Sequence, residues 1–310
     1  MSQIKTESLF FPGKVILFGE HSILYGSHGL SVPVSSGIYL KSKSSTTFKV
    51  FLNGKSIESN ADIRNAITIL ETHGCRPAEI EIISHIPPGA GLGFSAALSA
   101  GFASMCLKKN PEISELNGLS FEFEKIFHGR PSGLDNATVV YNSGIIYTST
   151  PHELCVAGDL KKISANFYLF DFRLPPNLAL AVSFSGNTSL TKEMIEKVRK
   201  HPPDKLSLFT KKINALMENF LVFYQSLDFI NMGKCLTDAH YELAATGIST
   251  PHLDLLVDSA LNAGALGAKL TGKGGGGCVV ALIPEKNLTD LGISWGKAGA
   301  VLVSPLKHSP

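Results

Sequence analysis

The chain has 310 residues, of which 44% are apolar and 17% are charged. It can therefore bury a large core and form about two domains of ordinary size, which excludes an intrinsically disordered protein. The net charge is only +2 and no run of like charge occurs, which argues against nucleic acid or a membrane surface as a partner.

The first half of the chain shows short apolar runs and apolar residues at helical spacing. The predicted strands are Lys14–Phe18, Gly37–Lys41, Phe48–Leu52, 79–86 and Gly144–Thr148. The predicted helices are 61–73, the almost wholly apolar Ala96–Leu107, and 114–128.

A second set of elements follows a break at Pro175-Pro176. The predicted strands are Leu178–Phe184, Ala268–Thr271 and Cys278–Ile283, and the predicted helices are 189–200, 204–225, 229–245 and 251–262. Because strands and helices mix in both halves, we expect a two-domain α+β protein, divided into residues 1–170 and 171–310.

The cysteines are odd in number and contain no CxxC pair: Cys75, Cys106, Cys155, Cys235 and Cys278. This pattern favours reduced thiols over a disulfide framework or a zinc site. The N-terminus lacks the apolar core of a signal peptide, and no apolar run is long enough to span a bilayer. We therefore expect a cytoplasmic location.

A glycine-rich loop at residues 87–97 (PPGAGLGFSAA) lies between a predicted strand and a predicted helix. The helix would begin near Ser95, so that its free N–H groups point into the loop and form an anion site. The loop lacks the Gly-Lys-Ser/Thr ending of a Walker A motif. The alternative is a glycine turn that only packs the helix against the strand.

A second glycine-rich run occupies residues 271–278 (TGKGGGGC), in which five of eight residues are glycine. Ordered glycine costs conformational entropy, so such a run suggests that side chains would obstruct a ligand or a neighbouring loop. The alternative is a flexible hairpin.

Two further segments carry charged residues beside predicted strands or helices. In residues 12–26 (PGKVILFGEHSILYG), Lys14 begins a strand and Glu20-His21 follow its end. In residues 123–136 (FEKIFHGRPSGLDN), Glu124 lies on a helix and Asp135 follows the turn after it. Such a carboxylate can accept a hydroxyl proton or orient a lysine. It can also be only the N-cap of the next helix.

Together, and in this order, the four segments resemble the motifs of the galactokinase/homoserine kinase/mevalonate kinase/phosphomevalonate kinase (GHMP) superfamily. The GEH ending of the first segment and the HGxPSGxD pattern resemble the mevalonate kinases in particular. The resemblance covers residues 12 to about 283. It implies a two-domain GHMP kinase fold, with an N-terminal domain like ribosomal protein S5 and a ferredoxin-like C-terminal domain.

The resemblance also implies roles for single residues. Asp135 is the expected catalytic carboxylate and Lys14 its cationic partner, while Ser95 and Glu124 are the expected magnesium ligands. The expected ATP-binding residues are Pro88, Gly89, Ala90, Gly91, Leu92, Gly93, Ser95 and Ala96. The expected substrate contacts are Glu20, His21, Thr191, Gly274 and Gly275.

Two positions depart from the family pattern. Phe94 stands where the family usually has a serine, and Lys273 stands where the last glycine loop usually has a small residue. Lys273 would either aid the binding of nucleotide or anionic substrate or point to solvent.

The implied reaction is the phosphorylation of mevalonate at its C5 hydroxyl by ATP with Mg²⁺, in the route to isoprenoids. The resemblance also admits a homodimer and feedback inhibition by prenyl diphosphates. The alternatives are a GHMP kinase for phosphomevalonate, a sugar or homoserine, and a catalytically silent ligand-binding member. The GEH and HGxPSGxD residues disfavour the first, and the presence of all four polar residues, Lys14, Ser95, Glu124 and Asp135, disfavours the second.

Overall fold

The computed structural model describes residues 8–108, 110–154, 160–188 and 191–306. The helices are α1 Ala61–Thr72, α2 Phe94–Cys106, α3 Ile113–His128, α4 Leu134–Tyr141, α5 Thr191–Arg199, α6 Pro203–Gln225, α7 Phe229–Ala245, α8 Pro251–Asn262 and α9 Leu288–Lys297. The strands are β1 Ser8–Phe18, β2 Gly29–Ser44, β3 Lys49–Leu52, β4 Lys55–Ser56, β5 Ala78–Ser84, β6 Gly144–Tyr147, β7 Lys161–Ser164, β8 Phe167–Phe170, β9 Leu178–Phe184, β10 Gly267–Thr271, β11 Cys278–Pro284 and β12 Leu302–Leu306.

The predicted helices and strands are present within a few residues of their expected ends, and the α+β class is confirmed. The sequence patterns missed α4, α9, β4, β7, β8 and β12, the first six residues of β1 and the first half of β2. Most of these elements are too short to show a clear period, and α4 has only 8 residues. Within the described residues, no helix is both long and apolar enough to cross a membrane.

The chain forms two compact units, and neither is a continuous stretch of sequence. The first contains the N-terminal residues up to Lys14, then Ser35–Pro88 and Gly93–Asn142. The second contains Val15–Val34, Gly89–Leu92 and the residues from Ser143 onward. The domain boundary near residue 170 stays a prediction, because compactness alone does not test it.

The first unit combines part of a sheet with helices α1 to α4. Its strands lie in the order β4-β3-β5-β2, with β2 antiparallel and β3 parallel to β5. Helices α2, α3 and α4 pack against one another. All residues from Ala96 to Ala103 are buried, because α2 has neighbours on all its faces, and this explains the long apolar run.

The second unit contains an antiparallel sheet in the order β10-β11-β9-β12. Numbered along the chain, these four strands lie in the order 2-3-1-4, which is the ferredoxin-like arrangement that the sequence resemblance implies. Helices α7 and α8 pack on this sheet. Strands β6, β8 and β7 pair antiparallel with one another, and β6 pairs with Gly29–Ser31 of β2.

Helix α7 approaches the start of β10 with backbone against backbone. A Cβ atom on Gly233 would lie 2.4 Å from the carbonyl carbon of Leu266, and one on Gly267 would lie 1.8 Å from the carbonyl oxygen of Gly233. Real Cβ atoms do not come so close, so any side chain here would push the helix away from the strand. The two glycines therefore set how closely α7 packs.

We expect Gly233→Ala to destabilise the protein by about 1–3 kcal/mol, the usual cost of overpacking. Alanine is the better helix former, so this cost would arise from packing alone. Urea unfolding measures it. The matched control is Gly292→Ala in α9, where the new Cβ meets no atom within 4 Å. That variant should gain about 0.5–1 kcal/mol. Equal stability of the two variants would show that α7 does not need the close approach.

Candidate active site

Lys14 and Asp135 form an ion pair in the first unit. Lys14 Nζ lies 2.8 Å from Asp135 Oδ2, and the two side chains are 2% and 30% exposed. The lysine is thus enclosed while the carboxylate keeps an open side. Asp135 is in the first turn of α4, where the helix dipole favours an anion. Gly133 is the N-cap of this helix, so Asp135 is not the capping residue.

Glu124 is a buried carboxylate held between two helices. It lies on α3 and is 1% exposed. On α2, Ser95 Oγ donates to Glu124 Oε1 over 3.0 Å and Ser99 Oγ donates to Glu124 Oε2 over 2.9 Å. Ser95 and Ser99 are four residues apart and share one helix face. Each carboxylate oxygen therefore has a hydroxyl donor, and the carboxyl group is fixed in place.

The pKa of Glu124 is raised to about 8 from its ordinary value of 4.5. Burial is the main cause, and the negative charge of Asp135 adds to it. The hydrogen bonds from Ser99 and Ser95 and the charge of Lys14 act in the opposite direction but do not outweigh burial. Two carboxylates thus share one nearby ammonium, and the surroundings favour additional positive charge.

His128 completes this cluster. It lies four residues after Glu124 on α3, and its Nε2 is 3.2 Å from Glu124 Oε1 and 2.9 Å from Ser95 Oγ. The tautomer with hydrogen on Nε2 can donate to both atoms. The sequence alone assigned His128 no role.

Helix α2 begins with open backbone amides. Its N-cap is Gly93, at φ 82°, and no side chain caps the first turn of Phe94, Ser95 and Ala96. A Cβ on Gly93 would lie 2.8 Å from Lys14 Cγ, so this glycine leaves room for the lysine stem. The first turn of α2 therefore offers N–H groups of the kind that can bind an anion, and phosphate binding here stays a prediction. Pro88, the first of the predicted ATP-binding residues, lies in the first unit, as does the start of α2.

The middle of the glycine-rich loop packs against the second glycine run within the second unit. A Cβ on Gly91 would lie 2.9 Å from the Thr271 carbonyl oxygen, and one on Gly277 would lie 3.1 Å from that of Ala90. The Thr271 hydroxyl also bonds the backbone of Ile16, at 3.0 Å from both its nitrogen and its oxygen. The run at 271–278 is therefore an ordered support for Gly89–Leu92 and not a flexible hairpin.

Glu20 is fully enclosed in the second unit and forms an ion pair with Lys269. The lysine lies on β10, is 0% exposed, and also donates to the carbonyl oxygens of Leu270 at 2.7 Å and Ile16 at 3.4 Å. A buried ion pair is tolerated only when its remaining hydrogen-bonding capacity is used, as it is here. Lys269 thus holds the predicted substrate residue Glu20 in place.

His21 is buried, and this lowers the pKa of its imidazole despite a hydrogen bond to a carbonyl that favours the charged form. Its Nε2 lies 2.8 Å from the carbonyl oxygen of Lys273. Because a carbonyl only accepts, Nε2 carries the hydrogen, and the neutral ring has its lone pair on Nδ1. His21 can therefore accept a hydrogen bond from a hydroxyl group.

The other predicted substrate contacts are Gly274, Gly275 and Thr191. Gly275 N donates to the Ile248 carbonyl oxygen over 2.7 Å, and a Cβ on Gly274 would lie 2.5 Å from the same oxygen. Thr191 begins α5, but its side chain lies outside the described residues. Substrate contacts at these three residues stay predictions.

A divalent cation fits the Glu124 cluster by its chemistry. Ser95, Glu124 and Asp135 supply oxygen donors, which Mg²⁺ prefers, and the pKa of Glu124 is raised by burial first and by the charge of Asp135 second. Among the residues that the structure describes, no group of three or more His, Cys, Asp and Glu forms a closed metal site. Metal binding at this cluster therefore stays a prediction.

Sequence reasoning missed three supporting residues: Ser99, His128 and Lys269. Two had a usable signal. Ser99 repeats Ser95 after one helical turn within an apolar helix, and Lys269 is the single charged residue in a fully buried strand. The pairing of Lys269 with Glu20 spans 249 residues and has no local signature.

We expect Glu124→Gln to become more stable relative to the wild type as pH rises from about 4.5 to about 8. In this range the folded wild type keeps a proton that its unfolded state has lost, so its stability falls with rising pH. The variant has no such group. Urea unfolding of metal-free protein at several pH values measures the difference. Glu122→Gln, on an exposed part of the same helix, is the matched control for loss of a glutamate from α3. A pH-independent difference for Glu124→Gln would contradict the raised pKa.

Comparison with known proteins agrees with this architecture. The family model of the GHMP kinase N-terminal domain matches residues 62–144, and that of the GHMP kinase C-terminal domain matches residues 216–291. Among solved structures, the mevalonate kinase of L. major in complex with R-mevalonate superposes with a TM-score of 0.81 at 21% identity, covering 100% of this chain and 99% of the other. The galactokinase of Lactococcus lactis, in complex with galactose, has a TM-score of 0.77 at 16% identity, covering 98% and 94%. These likenesses establish the fold.

Sequence relatives are more specific. The mevalonate kinase of Thermococcus sibiricus is 30% identical over 89% of this chain and 88% of its own length. That of Methanocaldococcus jannaschii is 29% identical over 90% of this chain and 93% of its own length. Identity at this level across nearly the whole of both chains confirms the resemblance seen in the motifs: the chain belongs to the mevalonate kinase family of the GHMP kinases.

Proposed function

We propose that the protein transfers the γ-phosphoryl group of ATP to the C5 hydroxyl of mevalonate, giving 5-phosphomevalonate and ADP. The observation that carries this proposal is the pair of Lys14 and Asp135, 2.8 Å apart, with the buried carboxyl group of Glu124 in the same cluster. Phosphoryl transfer depends on positioning and charge neutralisation more than on covalent help. An ammonium, a proton acceptor and oxygen donors for a cation supply both.

Asp135 accepts the proton of the attacking hydroxyl. Its carboxyl group is 30% exposed while Lys14 is 2% exposed, so a substrate can reach the carboxylate but not displace the lysine from its enclosure. The Lys14 ammonium stays beside the reacting oxygens and stabilises their negative charge. It also orients Asp135 by donating a hydrogen bond to Oδ2 over 2.8 Å.

Ser95 and Glu124 would hold Mg²⁺. A metal ion held by these residues would supply positive charge to offset that of the phosphates. The chain prepares for it by fixing both oxygens of Glu124 with Ser95 and Ser99, so that little rearrangement is needed to bind the ion.

The backbone from Pro88 to Ala96 would bind the nucleotide phosphates. Support comes from the uncapped first turn of α2, whose N–H groups favour anions. It also comes from the close packing of Gly91 on Thr271, which leaves no room for a side chain. Glu20, His21, Thr191, Gly274 and Gly275 would contact the acceptor, and the neutral His21 ring offers a hydrogen-bond acceptor to one of its hydroxyls.

The first test is acceptor choice. With Mg-ATP, the purified protein should phosphorylate mevalonate far faster than phosphomevalonate, galactose or homoserine, measured by ADP release. Chelation of the metal should abolish turnover. Equal turnover of another acceptor would overturn the mevalonate assignment, and no turnover of any acceptor would favour a silent ligand-binding member.

The second test is Asp135→Asn. The variant keeps the size of the side chain and removes the proton acceptor, so kcat should fall by roughly 10²–10⁴-fold. ADP binding should change little, because the residue acts on the acceptor. Some loss of thermal stability is expected as well, since the enclosed Lys14 loses its counter-charge.

Asp254→Asn is the matched control for Asp135→Asn. Asp254 is also a partly exposed aspartate in the first turn of a helix, and it pairs with His240 at 3.1 Å. The Asp254→Asn variant should keep the wild-type kcat, even if the substitution lowers its stability. A comparable loss of kcat in both variants would mean that Asp135 acts through folding and not through catalysis.

A cytoplasmic location, a role in lipid metabolism through isoprenoids, a homodimer and inhibition by prenyl diphosphates stay predictions. Inhibition would be competitive with ATP, because a diphosphate would use the same backbone amides. Cys75, Cys106, Cys235 and Cys278 form no disulfide in the described part of the chain. Cys155 lies outside the described residues.

A further inference from the structure

Lys273 has a charged side chain with no partner in the described part of the chain. It lies in the glycine run between β10 and β11 and is half-buried. The structure gives its ammonium no hydrogen bond or ion pair, whereas the nearby acid Glu20 is already paired with Lys269. A half-buried ammonium without a counter-charge is a costly arrangement.

The backbone of Lys273 is held on both sides. Its carbonyl oxygen accepts a hydrogen bond from His21 Nε2 over 2.8 Å. The preceding Gly272 lies against Gly91, where an added Cβ would be 3.0 Å from Gly91 Cα, and the following Gly274 lies against Ile248. The side chain therefore starts from a fixed point between the His21 segment and the Gly89–Leu92 loop.

Burial lowers the pKa of the Lys273 ammonium, and it is the sole cause of the shift. No anion among the described residues offsets this loss of hydration. A ligand that brought negative charge to this position would both restore the pKa and gain binding free energy from the interaction.

We propose that Lys273 binds an anionic oxygen group of a bound substrate, either the carboxylate of the acceptor or a phosphate of the nucleotide. The inference rests on the proposed kinase function, because that function supplies both anions. It resolves the choice that the sequence left open in favour of binding over a side chain that only points to solvent. Lys273 would thus be a substrate-binding residue at a position where related loops usually have a small one.

The test uses Lys273→Met, which keeps the apolar stem, Lys273→Ala, and Lys273→Arg, which keeps the charge. Lys211→Met is the matched control, since Lys211 is an exposed lysine on α6 without a partner among the described residues. Thermal melts come first, to establish that each variant is folded. KM and kcat for mevalonate, and the Kd of ADP by calorimetry, are then measured for all four variants and the wild type.

The measurements with the phosphoryl acceptor use mevalonate and also its neutral amide as substrates. If Lys273 binds the carboxylate, Lys273→Met and Lys273→Ala should raise the KM for mevalonate by roughly 10- to 100-fold, the loss expected for a charge-assisted hydrogen bond. The KM for the amide and the Kd of ADP should stay unchanged. Lys273→Arg should restore most of the lost affinity.

The nucleotide arm compares ADP with adenosine. If Lys273 binds a phosphate, the Kd of ADP should rise by a similar factor in the Met and Ala variants, while adenosine binding and the KM for mevalonate stay unchanged. If neither the KM for mevalonate nor the Kd of ADP changes by more than it does in Lys211→Met, the proposal is wrong. Should wild-type protein fail to phosphorylate mevalonate at all, the proposed function fails. The Kd of ADP then decides Lys273 by itself: a rise supports phosphate binding, and no change overturns the proposal.

Discussion

The active-site cluster depends on charged side chains that are buried and only partly neutralised by opposite charges nearby. Lys14 is almost fully buried. Its ammonium forms an ion pair with Asp135 and interacts electrostatically with Glu124 at longer range. Two carboxylates near one ammonium cannot both be ionised without cost when one of them is buried. The fold tolerates this cost because the serine hydroxyls of α2 hold Glu124. The cluster therefore favours the binding of a further cation, and the exposed side of Asp135 leaves a carboxylate available as a proton acceptor.

Close backbone contacts provide the rigidity that such a cluster needs. Gly93 makes room for the stem of Lys14, and Gly91 lies directly on the carbonyl of Thr271. At both positions φ is positive and a Cβ atom would collide with a neighbour, so glycine is required twice over. The same principle brings α7 onto β10 through Gly233 and Gly267. At Gly91, Gly233 and Gly267, glycine marks a place where two backbones meet, and Gly91 lies in the glycine-rich loop at residues 87–97.

In the second unit, buried charged side chains hold the predicted substrate-binding residues in place. Lys269 satisfies Glu20 and two backbone carbonyls at once, while His21 is neutral and donates to the Lys273 carbonyl. Glu20 and His21 therefore have defined orientations before a substrate binds. Preorganisation of this kind lowers the cost of ordering side chains on binding. Lys273 differs from them, since its charge has no partner in the described part of the chain.

The sequence by itself determined the α+β class, most helices and strands, the two glycine runs, and the candidate roles of Lys14, Ser95, Glu124 and Asp135. These features depend on local periodicity, on glycine and proline, and on short motifs that can be read within about ten to twenty residues. Only the tertiary structure decided which of the alternatives held. It showed that Asp135 pairs with Lys14 and does not cap its helix, and that the run at 271–278 is an ordered support. It also identified Lys269 as the partner of Glu20, because ion pairs and burial join residues far apart in the chain, and no local pattern encodes the distance between them.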